Sequence, residues 1–162
     1  MQYSIRAIRK EDIPFLWDML YESLFVPEGQ ELFSRDIIKE PFISKYVDGW
    51  GEEGDFGFIA INNEGQPIGS ITARYFNENN KGFGYIDQDT PELGMAILSE
   101  FRGKGIGTAL LNQLLEEAKK KGIKKLSLSV DPKNRAAVHL YQRFGFIEVG
   151  IVGTSITMIV NL

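Results

Sequence analysis

The amino-acid sequence predicts a mixed α/β fold in which helices pack on a largely antiparallel sheet. Three observations lead to this class. Several short segments alternate apolar and polar residues with a period of two, as strands do, and longer segments repeat apolar residues with the period of a helix. A strand, a helix and a second strand follow one another over residues 92–130, which predicts one right-handed crossover between parallel neighbours.

The composition fits one folded domain and excludes several classes of function. The 162 residues, of which 43% are hydrophobic, predict a single domain over residues 1–162. A formal net charge of -4 argues against a nucleic-acid partner, because phosphate binding depends on basic surface. Cysteine is missing and His139 is the one histidine, so we expect no disulfide, no cysteine acyl-enzyme and no metal site. We interpret His139 as a surface residue without a catalytic role.

The start of the chain, MQYSIRAIRKED, carries charges too early for a signal peptide. No apolar run approaches the roughly 20 residues that a membrane-spanning helix needs. The sequence therefore predicts a cytoplasmic protein without a membrane partner.

The first predicted elements are a strand and a helix. Residues 3–8, YSIRAI, alternate as a strand does. Asp12 suits a helix N-cap and Pro14 is tolerated in a first turn, so a helix begins here, and Pro27 lies beyond its end. Its apolar stripe consists of Phe15, Leu16, Met19, Leu20 and Leu24.

A second helix and a hairpin follow. The second helix is predicted over residues 34–47. Two strands, 56–61 and 67–76, flank the turn 62–65, whose composition is typical of a hairpin. The polar segment 77–90 forms a loop, and a loop of that length in a compact domain indicates function.

The second half contains the clearest helical pattern in the chain. The segment ELGMAIL, 92–98, is apolar enough for a strand buried on both faces. The helix after it ends at Gly122, and Lys119–Lys121 in its last turn favour the helix dipole. Its apolar positions are Leu110, Leu111, Leu114, Leu115 and Ala118. The remaining elements are a strand over 125–130, a helix over 135–143 and strands over 146–149 and 155–160. The predicted order is β-α-α-β-β-β-α-β-α-β-β, about seven strands flanked by about four helices.

The glycine cluster RGKGIG, residues 102–107, lies between the strand that ends at Leu98 and the helix that continues from Thr108. Glycines in such a turn let several backbone N–H groups point at one place beside the positive end of a helix, and that arrangement binds phosphate. Arg102 and Lys104 add positive charge. A tight turn that merely packs the helix start is the alternative. The spacing differs from the G-K-[ST] end of a P-loop and from the dinucleotide pattern G-x-G-x-x-G.

The same cluster resembles the R/Q-x-x-G-x-G/A signature of the GNAT superfamily of acetyl-CoA-dependent N-acetyltransferases. The strand 92–98 is similar to the fourth strand of that family. The downstream matches to the family pattern N-x-x-A-x-x-L-Y-x-x-x-G-F are Asn134, Ala137, Leu140, Tyr141, Gly145 and Phe146. The resemblance covers residues 3–162, and Ser99 departs from it where many members carry proline.

The resemblance implies acetyl-CoA as co-substrate and assigns residues to it. The pantetheine arm would pair with the backbone of Ile97, Leu98 and Ser99, and an amide near Ile97 or Leu98 would polarise the thioester carbonyl. Asn134 would meet the same arm, and it also fits a helix N-cap. The pyrophosphate would lie on the amides of Arg102, Gly103, Lys104, Gly105, Ile106, Gly107 and Thr108.

The resemblance also implies direct attack of an amine on the thioester. By the family pattern Tyr141 protonates the leaving thiolate, and the helix face that it shares with Ala137 predicts that it packs inward. A core tyrosine with a satisfied hydroxyl is the alternative. An amine arrives protonated, and Glu92 is the first candidate for the base, directly or through water. Asp87 and Asp89 are further candidates. A solvated strand end is the alternative for Glu92, and ordinary turn chemistry is the alternative for the two aspartates.

Four residues suggest a pocket for a cationic acceptor beside Glu92, because carboxylates and aromatic faces both attract an ammonium group. They are Trp50, Tyr85, Asp87 and Asp89. Trp50, in the segment GWGEEG, can instead pin a loop.

The sequence favours an N-acetyltransferase that acts on a small-molecule primary amine. A protein α-amino group or a lysine is the alternative acceptor, and the length of the acyl group is open. A non-catalytic acyl-CoA sensor or interaction domain is the alternative of another class, and the presence of both Tyr141 and Glu92 favours the enzyme. Members of this fold are often dimers, so a homodimer follows by analogy alone.

Overall fold

A mixed sheet with helices on both of its faces forms the body of the protein. The computed structural model describes residues 2–162. Within that range the strands are β1 (Tyr3–Ala7), β2 (Phe56–Asn62), β3 (Pro67–Arg74), β4 (Glu92–Ile97), β5 (Lys125–Val130), β6 (Ile147–Val152) and β7 (Ser155–Asn161). The helices are α1 (Ile13–Glu22), α2 (Pro41–Ser44), α3 (Ile106–Lys120) and α4 (Arg135–Arg143). The predicted fold class and the predicted order of elements are confirmed.

The sheet has the strand order β1-β2-β3-β4-β5-β7-β6. Its neighbours are antiparallel except for β4 and β5, which are the parallel pair predicted from the crossover. The strands β3 and β4 pair along their whole length, whereas β4 and β5 share the single register pair Glu92–Ser127. Beyond that pair the two strands are no longer paired with each other, which leaves an opening between their carboxyl-terminal halves.

Both faces of the sheet are buried, and β2 shows this directly. Phe58 and Ala60 pack into a core with α3, whereas Ile59 between them packs into a second core with α1. Because successive side chains of a strand point to opposite faces, a strand covered on both sides reads as a continuous apolar run. The predicted apolar stripe of α3 lies in the first core, and all five of its residues are buried.

The second predicted helix is not continuous, and this prediction was wrong. Residues 34–47 form a 3₁₀ helix, Arg35–Lys39, and then the one-turn helix α2 from Pro41. Between them Glu40 is extended, with φ -67° and ψ 130°. Proline has no N–H and disfavours helical backbone in the residue before it, so Pro41 ends one helix and starts another.

Smaller differences concern the ends of elements. Asp12 is the N-cap residue of α1, as predicted, but its carboxylate accepts hydrogen bonds from the Arg9 amide at 2.7 Å and from the Arg6 guanidinium at 2.7 and 2.9 Å. The helix α3 begins at Ile106, two residues earlier than predicted. None of the helices within residues 2–162 combines the length and apolarity needed to cross a bilayer.

Candidate active site

Glu92 begins β4 at the point where β4 and β5 part. Its register partners are Arg74 on β3 and Ser127 on β5, so the three side chains share one face of the sheet. The side chain does not reach solvent as a free strand end would, since Glu92 is 4% exposed. A buried carboxylate needs hydrogen-bond donors, and the surrounding segments supply them.

Two donors hold the Glu92 carboxylate, one for each oxygen. The Tyr46 hydroxyl donates to Oε2 at 2.6 Å, and the Gly84 amide donates to Oε1 at 3.0 Å. The Tyr46 oxygen in turn accepts a hydrogen bond from the Phe83 amide at 2.7 Å. The segment 82–84 of the long loop therefore closes over Glu92.

Glycine makes this closure of the loop feasible. A Cβ on Gly82 would lie 2.3 Å from Oε1 of Glu92 and 2.8 Å from the Tyr46 hydroxyl. A Cβ on Gly84 would lie 2.6 Å from the carbonyl carbon of Leu128 on β5. Real Cβ atoms do not approach other atoms so closely, so these two positions need glycine for close contact.

Burial raises the pKa of Glu92 from its ordinary value of 4.5 to about 7. The hydrogen bonds from Tyr46 and Gly84 and the charge of Lys45 act in the opposite direction and offset part of this rise. A carboxyl group with a pKa near neutral pH both accepts and releases a proton under ordinary conditions, as a general base requires.

Tyr141 lies on the inward face of α4, as predicted, and is 7% exposed. Its ring packs on Phe146, with ring centroids 5.6 Å apart. Burial raises the pKa of its hydroxyl from 10 to about 12, so the group stays protonated at neutral pH. His139, on the opposite side of the same helix, is exposed.

The glycine cluster forms an open turn at the start of α3. Gly103 has φ +74° and Gly105 has φ +83°, and a Cβ on either would meet nothing within 4 Å. The Ala109 amide donates to the Gly105 carbonyl as the first helical hydrogen bond, at 3.1 Å. The amides of residues 106–108 therefore have no acceptor within the helix. Left-handed glycines, open space and unpaired amides fit a pyrophosphate group.

Arg102 ties this turn to neighbouring elements. Its Nε donates to the Ile97 carbonyl at 2.8 Å, and its guanidinium lies 3.4 Å from the Glu22 carboxylate at the end of α1. Lys104 is exposed beside it. The side chain of Arg102 thus supports the end of β4 and the rim of the opening.

Of the Ile97 and Leu98 amides predicted to polarise a thioester carbonyl, one already donates a hydrogen bond within the sheet. The Leu98 amide donates to the Ile68 carbonyl at 2.9 Å, so the prediction is corrected for Leu98. Successive amides of a strand point to opposite neighbours, so the amide of Ile97 points toward the side of β5. Ser99 begins a short 3₁₀ helix directly after these residues. Asn134 is the N-cap of α4, and its Oδ1 accepts from the Ala137 amide at 3.4 Å.

Each of the four predicted acceptor residues makes other contacts in the structure. The Trp50 ring covers the Arg74 guanidinium, and the Tyr85 ring covers the Lys81 ammonium group, each at 5.6 Å. The Asp87 Oδ1 accepts hydrogen bonds from the Asp89 amide and the Thr90 hydroxyl, both at 2.9 Å, which is turn chemistry. Both aspartates line a surface cavity at the amino end of β5, together with Lys121, Lys124 and Lys125.

Sequence reasoning missed Tyr46. It lies in the irregular segment after α2, 46 positions from Glu92, and no local pattern marks it. The Gly82 and Gly84 pair in the polar loop was a visible signal of close packing, although its partner could not be read from it.

A parallel pair that opens beside a glycine turn, with a buried carboxyl group at its start, is the arrangement expected from the resemblance to acyltransferases. The family comparison is more specific. A model of the Acetyltransferase (GNAT) family matches residues 13–146, and the chain belongs to this family.

Individual relatives agree with this assignment. The chain is 28% identical over 152 residues to an uncharacterized N-acetyltransferase of Methanocaldococcus jannaschii, a match that covers 93% of this chain and 63% of that protein. It is 31% identical over 134 residues to N-alpha-acetyltransferase 30 of Schizosaccharomyces pombe, covering 78% of this chain and 80% of that protein. The fold is similar to a GNAT-family acetyltransferase of Staphylococcus aureus, with a TM-score of 0.72, 19% identity and 99% coverage of both chains.

Proposed function

We propose that this protein transfers an acetyl group from acetyl-CoA to a primary amine by direct attack, with Glu92 as the general base and Tyr141 as the general acid. The observation that carries the proposal is the Glu92 carboxylate, buried at the start of the β4–β5 opening with a pKa raised to about 7.

Acetyl-CoA, when bound, supplies the acetyl group as an activated thioester. The amides of residues 103–108 would hold its pyrophosphate, and the prediction is corrected for the Arg102 amide, which donates to the Ser99 carbonyl at 3.3 Å. The backbone of Ile97 and Ser99, with Asn134, would hold the arm. Glu92 removes one proton from the substrate ammonium group, which frees the nitrogen lone pair. As the new C–N bond forms and the C–S bond breaks, Tyr141 gives its proton to the departing sulfur, and the nitrogen releases its second proton to water. Both side chains then exchange protons with solvent.

We propose a small-molecule amine as the acceptor. A primary amine carries a single substituent, so it can approach the 4%-exposed Glu92 with less crowding than a secondary amine can. The rings of Trp50 and Tyr85 contact the side-chain cations of Arg74 and Lys81, so a substrate ammonium group would share or displace these contacts.

A protein α-amino group is the second candidate acceptor. The observation that favours it is the relative in Schizosaccharomyces pombe, whose name is N-alpha-acetyltransferase 30 and which is 31% identical. A free N-terminus is also a slender primary amine, so the burial of Glu92 is compatible with both candidates.

A coupled assay of CoA release tests the proposal. The acceptors are a panel of unbranched small amines and a panel of short peptides with free α-amino groups, and the same peptides with blocked N-termini are the matched controls. We expect turnover with at least one small amine and a loss of roughly 10²–10⁴-fold in Glu92→Gln. Turnover of free peptides alone would replace the small-molecule acceptor by the protein acceptor. Binding of acetyl-CoA without turnover of any acceptor would overturn the enzyme and support an acyl-CoA sensor.

A further inference from the structure

We infer that Tyr46 is a positioning residue, which orients the Glu92 carboxylate and connects it to the loop segment 82–84. The inference rests on the proposed role of Glu92 as the base and deepens it. The Tyr46 hydroxyl contacts both the Glu92 carboxylate and the Phe83 amide, and the proposed chemistry assigns no role to these contacts.

The orientation of the Tyr46 hydroxyl follows from its two partners. Its oxygen accepts from the Phe83 amide at 2.7 Å, and a hydroxyl has one proton to give. The second partner is Glu92, at 2.6 Å, and an ionised carboxylate has no proton to donate, so it acts as the acceptor. The proton of Tyr46 therefore points at Oε2 of Glu92.

Aromatic contacts hold the ring that carries this hydroxyl. Tyr46 meets Phe76 edge to face at 5.1 Å, and it stacks on Phe83 at 6.4 Å with an angle of 5° between the rings. Phe83 thus binds Tyr46 through both its ring and its backbone amide. These contacts fix the ring independently of its hydrogen bond to Glu92, as a positioning residue requires.

The remaining capacity of the carboxylate suits proton transfer. Tyr46 occupies one lone pair on Oε2 and the Gly84 amide occupies one on Oε1, and each ionised oxygen has room for another donor. Two donors from separate segments fix the plane of a side chain that otherwise rotates freely. The free lone pairs can then accept the proton of a substrate ammonium group.

Other groups near Glu92 do not replace Tyr46. Arg74 is paired with Asp55 at 3.2 Å, and Lys45 donates to the Lys81 carbonyl at 2.5 Å. Among the described residues, the buried Ser127 hydroxyl has no hydrogen-bond partner at all. The segments packed around Glu92 carry these charged or titratable groups: Lys45 and Tyr46 after α2, Arg74 on β3, and Asp18 and Glu22 on α1. Asp18 pairs with Arg35, and Glu22 pairs with Arg102. Within residues 2–162, Tyr46 is the one side chain that hydrogen-bonds to Glu92.

Removal of the Tyr46 hydroxyl has a defined direction. The hydrogen bond from Tyr46 lowers the pKa of Glu92, so its loss raises that pKa above the present value of about 7. After the removal, the Gly84 amide is the donor that still holds the carboxylate. In the unchanged protein the Tyr46 hydroxyl stays protonated and remains a donor, because burial and the nearby Glu92 raise the pKa of that hydroxyl.

The test is Tyr46→Phe, which keeps the ring and its contacts. The pKa of Glu92 is measured in the free protein by NMR of ¹³C-labelled glutamate carboxyls, with Glu92→Gln to assign the signal. The pH profile of kcat/KM is measured with the best amine. We expect the Glu92 pKa and the acidic limb of the profile to rise together by about one to two pH units, because hydrogen bonds to charged groups have that strength. The KM for acetyl-CoA should not change.

Two further proteins keep the result decisive. Tyr3→Phe removes a hydroxyl from β1, three strands away from β4, and should leave both readouts unchanged. Incorporation of 3-fluorotyrosine at position 46 makes the O–H a stronger donor and should lower the Glu92 pKa, which gives a measurable shift of opposite sign without loss of the hydroxyl.

The outcomes separate this inference from the proposed function. An unchanged Glu92 pKa and an unchanged pH profile in Tyr46→Phe, in an enzyme whose turnover needs Glu92, would overturn the role of Tyr46 alone. Failure of the wild-type protein to acetylate any amine would overturn the proposed function, while the NMR shift would still support the link between Tyr46 and Glu92.

Discussion

At the scale of single residues, two buried groups have pKa values suited to opposite tasks. Burial raises the pKa of Glu92 to about 7 and that of Tyr141 to about 12. At neutral pH the first group can therefore take up a proton, while the second still carries one. Pairs of titratable groups separated in this way are a common basis of acid–base catalysis.

The role of Tyr141 predicts a separation between catalysis and binding. Tyr141→Phe keeps the ring that packs on Phe146 but removes the hydroxyl, so we expect kcat to fall by about 10²-fold or more. The Kd for acetyl-CoA, measured by calorimetry, should change by much less. An unchanged kcat with the true acceptor would remove Tyr141 from the acid role and leave it as a core tyrosine.

At the scale of an element, the turn before α3 combines left-handed glycine backbone with open space. Gly105 has φ +83°, where other residues are disfavoured by roughly 1–2 kcal/mol, and a Cβ there would touch nothing. Gly65, in the hairpin between β2 and β3, has φ +79° and equally open surroundings. The two glycines therefore differ in location but not in local geometry.

This match gives a controlled test of the anion site. Gly105→Ala and Gly65→Ala should lose similar stability in thermal unfolding, because each forces an alanine into left-handed backbone. Only Gly105→Ala should weaken binding of acetyl-CoA, by about tenfold or more, since its methyl group takes space beside the amides of α3. Equal binding by both variants would argue that the glycines serve only the turn.

At the scale of the whole molecule, Glu92 couples protonation to stability. Its carboxyl ionises near 4.5 in the unfolded chain and near 7 in the folded protein. Between these two values the folded state holds the extra proton, so stability falls as the pH rises from about 4.5 to about 7. At about 1.4 kcal/mol for each pH unit, the loss amounts to about 3 kcal/mol.

Glu92→Gln has no proton to release at this position and should lack this dependence. We expect the free energy of unfolding of the wild-type protein, relative to this variant, to decrease by about 3 kcal/mol over that pH window. Urea unfolding at a series of pH values measures the difference. Asp12, whose pKa Arg6 holds below its ordinary value, is common to both proteins and acts below this window. Parallel stability curves for the two proteins would contradict a raised pKa of Glu92.

Much of the fold could be predicted because its signals are local. The stripe of α3 repeats at helical spacing, β2 is a continuous apolar run, and the turn 62–65 has hairpin composition, as the structure confirms. The continuous helix predicted over 34–47 was wrong because Pro41 lacks an N–H and its ring disfavours helical backbone in the preceding residue, which divides the segment there.

The candidate site could be predicted only in part. The backbone freedom of Gly103 and Gly105 and the acid chemistry of Glu92 can be read from the residue types in isolation, whereas the role of Tyr141 came from the resemblance to the acetyltransferase pattern. The contact of Trp50 could not be predicted, because its ring packs on the guanidinium of Arg74, a residue of the distant strand β3. The use of the Leu98 amide likewise depends on pairing with β3.

The sequence by itself determined the order of the elements and the glycine turn before α3, because periodicity and residue chemistry are properties of the local chain, and its resemblance to a family pattern pointed to Tyr141. The tertiary structure decided what surrounds them. It joined Tyr46 and Gly84 to Glu92, paired β4 with β5 at one position only, and buried Glu92 until its pKa approached neutrality. These features depend on contacts between segments far apart in the chain, and the free energy of burial and desolvation that creates them exists only once the segments have packed together.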